Sequence, residues 1–356
     1  MRNNYLQVSR GLASLIVCLH HLFVTPYFFY NASSQLSHSS LANLGDLSVS
    51  FFFALSGFVL IHSLEKNKVK PFGFITNRIL RVYPEYILWT TIAVFIYSIY
   101  GNVLFNVNFY PRDLTEWIYT YTLIPLFAKK DFAMVSGTSW SLVYEMYFYV
   151  LLFFTLFFVK KIKQTPLILT ITFFFLSYMG SHYFHTDKGG WVYYPYIISD
   201  FNCLSFSFGM MVYYFKDKFK FSLFSALSII FSILIVFILT GSTDTSHVNY
   251  VFISTFILFF VTNIRQVNST SLVGKKLLSC AIFLGDSSYT LYITHLLYAK
   301  LAWAIISMGH YLLAVILNIF VILIACVKYQ YIGKPLNSIV KKWQIKAKSH
   351  LRFYHF

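Results

Sequence analysis

Residues 10–21 read RGLASLIVCLHH, with an arginine and a histidine pair at the two ends of an apolar run. In a helix of about 3.6 residues per turn, Arg10 and His21 lie on the same face, about 16 Å apart along the axis. His20 then points away from that face. A charge at a membrane edge and a titratable ring near mid-bilayer are costly, so this pattern indicates a functional helix that crosses a membrane.

The composition places this helix in a polytopic membrane protein. Of 356 residues, 58% are hydrophobic, 21% are aromatic and only 11% are charged, whereas a soluble protein carries about 25% charged residues. Repeated apolar runs of about 20 residues are long enough to cross a bilayer as helices. We therefore predict an all-α membrane bundle of about ten transmembrane helices, near 11–30, 45–64, 83–101, 139–158, 165–183, 191–214, 221–240, 248–264, 287–306 and 311–330.

Topology accounts for the net charge of +16. If the N-terminus is inside, most of the 28 basic residues fall in the inside segments, including the end of the last span at Lys328. This bias predicts that both termini are cytoplasmic and that the chain lies in the cell (inner) membrane. It does not favour a nucleic-acid partner. The five basic residues outside or near the outer edge are Arg112, Lys129, Lys130, Lys188 and Lys300.

No metal site is predicted from the cysteines. Cys18, Cys203, Cys280 and Cys326 lie in or beside apolar runs at unrelated spacings. They are typical of buried small side chains rather than of a disulfide framework or a metal centre.

The segment 114–127, LTEWIYTYTLIPLF, is apolar but too short to cross a bilayer. A crossing here would also place the basic residues near Lys160 outside, against the positive-inside bias. We predict a short re-entrant or interfacial helix on the outer side, because irregular backbone in a membrane belongs where it lines a cavity.

Small residues and an arginine pair mark the second and third spans. Ser56 and Gly57 interrupt the phenylalanines of FFFALSGFVL at 51–60, which favours a helix-packing notch; a place beside a ligand is the alternative. Arg78 and Arg81 share one helical face in NRILRVYPEY. A guanidinium group pairs a phosphate through two parallel hydrogen bonds, so this pair suits an anionic ligand, with ordinary inside-loop charge as the alternative.

Two later spans carry polar groups among aromatic residues. In SWSLVYEMYFY at 139–149, Glu145 lies inside the membrane, where an ionised carboxylate needs a partner or a function. Trp140 nearby could belong to an interfacial aromatic belt. In LGDSSYTLYITH at 284–295, Tyr289, Tyr292 and His295 share one face, and both a packing and a catalytic role are open for His295.

Other polar groups in the later spans give weaker signals. Asp200 and Asn202 lie within the sixth span and are candidates to face a cavity. His182, His185 and His247 lie at the outer loop edges, where we expect them to be solvated.

In this order, the motifs resemble the acyltransferase-3 family of integral membrane O-acyltransferases, which modify surface polysaccharides and other glycans. The resemblance covers about residues 5–335 and predicts a membrane domain at 1–335, followed by a basic cytoplasmic tail at 336–356. The motifs that carry it are RGLASLIVCLHH at 10–21, FFFALSGF at 51–58, RILRVYP at 78–84, WSLVYEMYFY at 140–149 and SSYTLYITH at 287–295.

The resemblance implies roles for particular residues. His21 would be the catalytic histidine, and Glu145 or another acid would tune the site. Arg10, Arg78 and Arg81 would help hold an acyl-CoA donor, with acetyl-CoA favoured, from the cytoplasmic side. The rest of the predicted site region comprises Ser56, Gly57, Trp140, Tyr289 and His295.

Two positions depart from the family pattern. Gly333 precedes Lys334 and Pro335 where many members have an acid, and Ser50 precedes the phenylalanines where many have an aspartate. An acid at the cytoplasmic mouth is therefore absent or supplied elsewhere. A carboxylate partner for His21 is not expected at position 50.

Acyl transfer to a hydroxyl needs a base that takes the hydroxyl proton during attack on a thioester carbonyl, a role that suits histidine. We predict direct transfer, with His21 as base, to a hydroxyl of a surface glycan or its lipid-linked precursor. An acyl-histidine intermediate is the other route. The competing function is a glycan or lipid-intermediate transporter without acyl transfer, since a polytopic bundle with buried charges also suits transport.

Overall fold

The computed structural model describes residues 4–24, 43–67, 70–104, 111–129, 131–183, 192–240, 247–265 and 272–353. Two π-helical turns, His20–Val24 and Tyr329–Gly333, interrupt the α-helices. In chain order, the α-helices are α1 Asn4–Leu19, α2 Leu44–Asn67, α3 Pro71–Leu104, α4 Leu114–Thr122, α5 Ser139–Phe158, α6 Thr165–Tyr183, α7 Tyr194–Ser199, α8 Cys203–Tyr213, α9 Leu223–Thr240, α10 Val248–Thr262, α11 Leu272–Thr294, α12 Leu296–Ser307, α13 Tyr311–Lys328 and α14 Lys334–Phe353.

The described residues confirm the all-α class but not the count of about ten spans. The sixth predicted span, 191–214, is broken by a turn at residues 200–202 into α7 and α8, and the ninth, 287–306, is divided at His295. Residues 25–30, at the end of the first predicted span, lie outside the described part. Among the residues that the structure describes, six helical segments are long and apolar enough to cross a membrane: Asn4–Phe23, Leu44–Lys66, Pro71–Ile99, Ser139–Phe158, Ile162–Tyr183 and Leu312–Gln344.

A short helix is present in the segment 114–127, as predicted. The Asp113 side chain caps α4 by accepting a hydrogen bond from the Glu116 amide, 2.8 Å away. The helix ends at Thr122, and its last carbonyls accept hydrogen bonds from Tyr83 and Tyr86 of α3. These contacts attach α4 to α3, while its interfacial or re-entrant placement stays a prediction.

Helix α2 is at the centre of the bundle, with α1, α8 and α10 packed around it. A Cβ atom at Gly57 would lie 1.9 Å from the Phe206 carbonyl oxygen, and one at Gly209 would lie 1.8 Å from the Ala54 carbonyl oxygen. Helices α2 and α8 therefore meet through their backbones. Gly57 forms a helix-packing notch.

We expect Gly57→Val to prevent stable packing, whereas Ser56→Ala leaves the protein folded. Because the Phe206 carbonyl oxygen occupies the place of any Cβ at position 57, α2 and α8 would have to separate. Such overpacking costs about 3 kcal/mol or more. Thermal unfolding in detergent measures the difference, and an unchanged unfolding temperature for Gly57→Val would contradict the close contact.

A second pair of glycines sets the register of α1 against α11. A Cβ atom at Gly11 would lie 2.8 Å from the Gly285 nitrogen, and one at Gly285 would lie 2.1 Å from the Gln7 carbonyl oxygen. Farther along the same helices, His21 meets His295. Since both contacts advance in the same direction along the chain, α1 and α11 run parallel.

The segment predicted as a basic tail, 336–356, is helical through Phe353, and residues 354–356 lie outside the described part. Val340 is buried, and the Gln344 side-chain amide donates to the Asn77 carbonyl oxygen over 3.2 Å. Helix α14 thus packs along α3, close to Arg78.

Candidate active site

A histidine cluster, formed by His20, His21 and His295, lies where α1 gives way to the first π-helical turn. The His21 and His295 ring centroids are 5.1 Å apart, and His21 Nδ1 is 3.1 Å from His295 Nε2. His21 Nδ1 is also 3.0 Å from the Val17 carbonyl oxygen, and His295 Nδ1 is 3.2 Å from the Leu291 carbonyl oxygen. The two histidines are therefore fixed both to each other and to their own helices.

These contacts define the neutral tautomers. A carbonyl oxygen only accepts a hydrogen bond, so Nδ1 of each ring carries the proton that faces it. In neutral His295, Nε2 then has a lone pair, and the single Nδ1–H of His21 is shared between this lone pair and the Val17 carbonyl oxygen. In this tautomer Nε2 of His21 has a lone pair that accepts no hydrogen bond from the described residues.

The π-helical turn separates the two adjacent histidines. His20 has its ring 5.2 Å from that of His21 at an interplanar angle of 83°, and it packs closely against Gly45 of α2. The sequence analysis assumed a regular α-helix through His21, whereas residues His20–Val24 are a π-helix. Trp303 Nε1 supports this turn by donating to the His21 carbonyl oxygen over 2.8 Å. π-Helical turns of this kind are frequent at functional sites.

An arginine–glutamate cluster, formed by Arg10, Arg78, Ser56, Glu145 and Tyr149, lies nearer the start of α1. Glu145 Oε1 accepts hydrogen bonds from Ser56 Oγ, 3.2 Å away, and from the Tyr149 hydroxyl. Arg78 lies beside Tyr149, and both Arg10 and Arg78 interact electrostatically with Glu145. The structure thus brings together predicted residues from four separate motifs.

Arg81 lies at the exposed edge of this cluster. It interacts electrostatically with Arg10, which also lies beside Asp286. The three guanidinium groups of Arg10, Arg78 and Arg81 are gathered here with the carboxylates of Glu145 and Asp286, and Glu85 also interacts electrostatically with Arg10. Clustered guanidinium groups are suited to binding an anion such as a phosphate. A small pocket between α2 and α3 opens beside the cluster, lined by Leu60, Ser63, Leu64, Phe74, Asn77 and Arg78.

Glu85 is a buried carboxylate between the two clusters that the sequence analysis missed. It is 4% exposed and accepts a hydrogen bond from the Thr290 hydroxyl. The neighbouring Tyr289 hydroxyl donates to the Val82 carbonyl oxygen over 3.1 Å. A Cβ atom at Gly333 would lie 3.4 Å from Glu85 Oε1, so a carboxylate is present beside the position where the family pattern has an acid. The available signal was an acid after Pro84 at the start of an apolar run.

The remaining predicted residues take different places. Tyr292 shares a hydrogen bond of 2.7 Å with Ser141, which joins α11 to α5 near His295. The Trp140 ring packs edge-on against Tyr144, with centroids 5.7 Å apart. Gly57 faces the backbone of α8 rather than the Glu145 side of α2.

The prediction that His247 is solvated is wrong. Its side chain is 7% exposed, and Nδ1 lies 2.9 Å from Asp200 Oδ1. Asp200 Oδ2 accepts from the Tyr144 hydroxyl over 2.8 Å. These contacts connect the start of α10 to α5 and to the turn before α8. They could not be predicted from the sequence, because the three residues come from separate segments.

Among the described residues, no three histidine, cysteine, aspartate or glutamate side chains lie close enough together to hold a metal ion. The histidine cluster is instead built from hydrogen bonds between imidazole rings and carbonyl groups.

Comparison with known proteins identifies related sequences over most of the chain. A family model described as "Acyltransferase domain" matches residues 3–329. A protein of Acidianus two-tailed virus, named "Putative acetyltransferase ORF330", is 26% identical over 314 residues, which cover 85% of this chain and 86% of that protein. No solved structure matches the chain.

Proposed function

Because the chain belongs to the acyltransferase-3 family, an enzyme family that transfers acyl groups, we propose that it moves an acetyl group from acetyl-CoA to a hydroxyl of a surface glycan or its lipid-linked precursor. The observation that carries this proposal is the His21–His295 pair, whose hydrogen bonds leave Nε2 of His21 as a base. His21 follows Arg10 along the same helical stretch, and the close contacts at Gly11 and Gly285 fix how this stretch is aligned with α11.

The arginine–glutamate cluster supports acyl-CoA as the donor. The phosphate groups of CoA are anions that guanidinium groups bind bidentately. Arg78 lies within the bundle and lines the pocket beside α2, whereas Arg81 is exposed at its edge. Phosphates bound here would leave the extended arm of CoA to run along α1 toward His21.

The proposed reaction needs one base and no resident cofactor. His21 Nε2 takes the proton from the acceptor hydroxyl as its oxygen attacks the thioester carbonyl. The tetrahedral adduct collapses, the carbon–sulfur bond breaks, and the thiolate takes the proton from His21 to leave as free CoA. His295 is a positioning residue, because its Nε2 accepts from His21 Nδ1–H and stabilises the imidazolium that forms. Transfer through an acyl-histidine would use the same nitrogen.

The basic residues support an orientation for this site. Their bias favours an orientation with both termini in the cytoplasm and with Arg10, Arg78 and Arg81 on the cytoplasmic side of the cell membrane. The donor would then enter from the cytoplasm, and the acceptor would reach the histidine cluster from the other side.

The function is tested with purified protein, labelled acetyl-CoA and glycan extracted from cells that lack the protein. We expect label in an alkali-labile ester on the glycan. A protein that moves glycan across a vesicle membrane but leaves the label in acetyl-CoA would be a transporter and would overturn the proposal. Comparison of the surface polysaccharide from cells with and without the protein would then locate the modified hydroxyl.

A further inference from the structure

Lys328 is a half-buried cation on the inner side of α13, although the sequence places it at the inside end of the last span. It follows Ala314, Val321 and Ala325 on one stripe of α13, and each of these is 1% exposed. Val327 beside it is 55% exposed and faces outward. The helical chain continues through Phe353, so Lys328 is far from its end. An ionisable group in the interior of a membrane bundle is a candidate for function.

Two aromatic rings and one hydroxyl surround the Lys328 ammonium group. Lys328 Nζ lies 4.7 Å from the centroid of the Trp89 ring and 4.4 Å from that of Tyr298. It also donates a hydrogen bond to the Tyr298 hydroxyl. These cation–π contacts offset part of the cost of removing the charge from water.

This ammonium group reaches Tyr298, a residue next to the histidine cluster. Tyr298 is one helical turn beyond His295, and its amide donates to the His295 carbonyl oxygen over 3.1 Å. Helix α13 runs antiparallel to α11, since Asn318 contacts the Leu22 carbonyl oxygen beside the histidine cluster and Cys326 contacts Ser287 nearer the start of α11. The Lys328 side chain therefore extends from near the level of Ser287 toward the histidine cluster.

The hydrogen-bonding capacity of Lys328 is only partly used by the described residues. An ammonium group has three N–H donors. The Tyr298 hydroxyl accepts one, and no carboxylate of the described residues forms an ion pair with Lys328. Because Tyr298 accepts from Lys328, its own O–H proton is directed elsewhere. The pair thus presents several donors and a positive charge, which suits an anionic oxygen group.

We propose that Lys328 and Tyr298 bind a carboxylate or phosphate group of the acceptor, so that the substrate is an acidic glycan. The identification of the ligand as the acceptor rests on the proposed acyl transfer. The anion-binding site itself does not depend on that function. The arginine–glutamate cluster would take the phosphates of CoA, while an acidic group near the acceptor hydroxyl would pair with Lys328. The hydroxyl would thereby be held beside His21.

Ligand binding to purified full-length protein tests the site without any turnover. The probes are glucuronate for a carboxylate, glucose 6-phosphate for a phosphate, and glucose as the neutral control, each titrated in neutral detergent with thermal unfolding as the readout. We expect at least one acidic probe to stabilise the protein and glucose to have no effect. Lys328→Gln is expected to weaken that binding about tenfold or more, as for loss of a charged hydrogen bond.

Matched variants separate this site from general charge effects. Lys328→Arg keeps the charge and is expected to keep the preference for acidic probes. Lys342→Gln, which removes an exposed cation from α14, is expected to bind like the wild type. If glucose stabilises wild type as well as the acidic probes do, if neither acidic probe binds, or if binding survives Lys328→Gln, the proposal is overturned.

Two further outcomes would assign the Lys328 site differently. An anionic phospholipid that competes with the acidic probes in wild type, but not in Lys328→Gln, would make this a lipid-headgroup site and overturn the acceptor assignment. Acidic probes that bind through Lys328 to a protein without acyl transfer would refute the proposed function while leaving the anion site in place.

Discussion

His21→Ala is expected to lower the rate of acyl transfer by about 10²–10⁴-fold, as for loss of a general base, while the protein stays folded. His21 Nε2 is the nitrogen that the hydrogen-bond pattern leaves free to accept a proton. His295 does not share this arrangement, because its Nε2 accepts from His21 Nδ1–H. The measurement is the initial rate of label transfer from acetyl-CoA by equal amounts of folded protein.

His20→Ala is the matched control for this prediction. His20 is adjacent in sequence and similar in chemistry, but its ring packs against Gly45 of α2. We expect a smaller loss of rate than for His21→Ala. If His20→Ala were the more damaging of the two while His21→Ala kept full activity, the assignment of the base would be wrong.

Arg78→Gln is expected to raise the KM for acetyl-CoA about tenfold or more, because one charged contact to phosphate contributes about 1.5–3 kcal/mol. Arg78 lies beside Tyr149, interacts with Glu145 and lines the pocket beside α2. A change in donor binding that leaves the acceptor KM unaltered would place Arg78 on the donor side. Initial rates measured over a range of acetyl-CoA concentrations, repeated over a range of acceptor concentrations, provide both constants.

Arg81→Gln provides the comparison within the same motif. Arg81 is exposed, and an exposed charge is screened by water and salt, so its contribution is smaller. We expect its effect on the KM for acetyl-CoA to be weaker and to fade as the salt concentration rises. Equal effects of the two substitutions, independent of salt, would contradict a donor site centred on Arg78.

Much of the candidate site was predictable because single residues stood out against an apolar background. Arg10 and Glu145 are charges within membrane-length helices, and the structure places both in one cluster with Arg78 and Ser56. His21 and His295 come from motifs far apart in the sequence, yet they meet at 3.1 Å. Each histidine stood out as a polar residue in an apolar, membrane-length run. The parallel packing of α1 on α11 brings the two histidines together.

Other features depend on contacts that periodicity does not encode. The π-helical turn at His20–Val24 is supported by Trp303, a residue distant in sequence. Asp200 and His247 pair across separate segments, so His247 is buried although it adjoins a polar loop. In the sequence, Lys328 resembles an ordinary basic residue at the end of a helix. In the structure the helical chain continues beyond Lys328, and the Lys328 side chain contacts Trp89.

The count of about ten spans is not confirmed, because two of the predicted spans are broken within the bundle. Hydropathy alone does not reveal a helix that is broken by a turn within a packed bundle. The turn at residues 200–202 is stabilised by Asp200, which accepts hydrogen bonds from Tyr144 and from the Asn202 amide. Such breaks are tolerated in a membrane protein where side chains satisfy the exposed backbone groups.

The most direct test of the central proposal uses proteoliposomes that hold the protein in one known orientation, with labelled acetyl-CoA and the acceptor glycan on opposite sides of the membrane. We predict that the glycan is labelled when acetyl-CoA is on the side of Arg10 and Arg78, that no label is transferred when the two substrates are exchanged, and that His21→Ala abolishes the signal. Label transfer that is equal in both arrangements, or that persists in His21→Ala, would contradict a site where donor and acceptor meet at His21 from opposite sides.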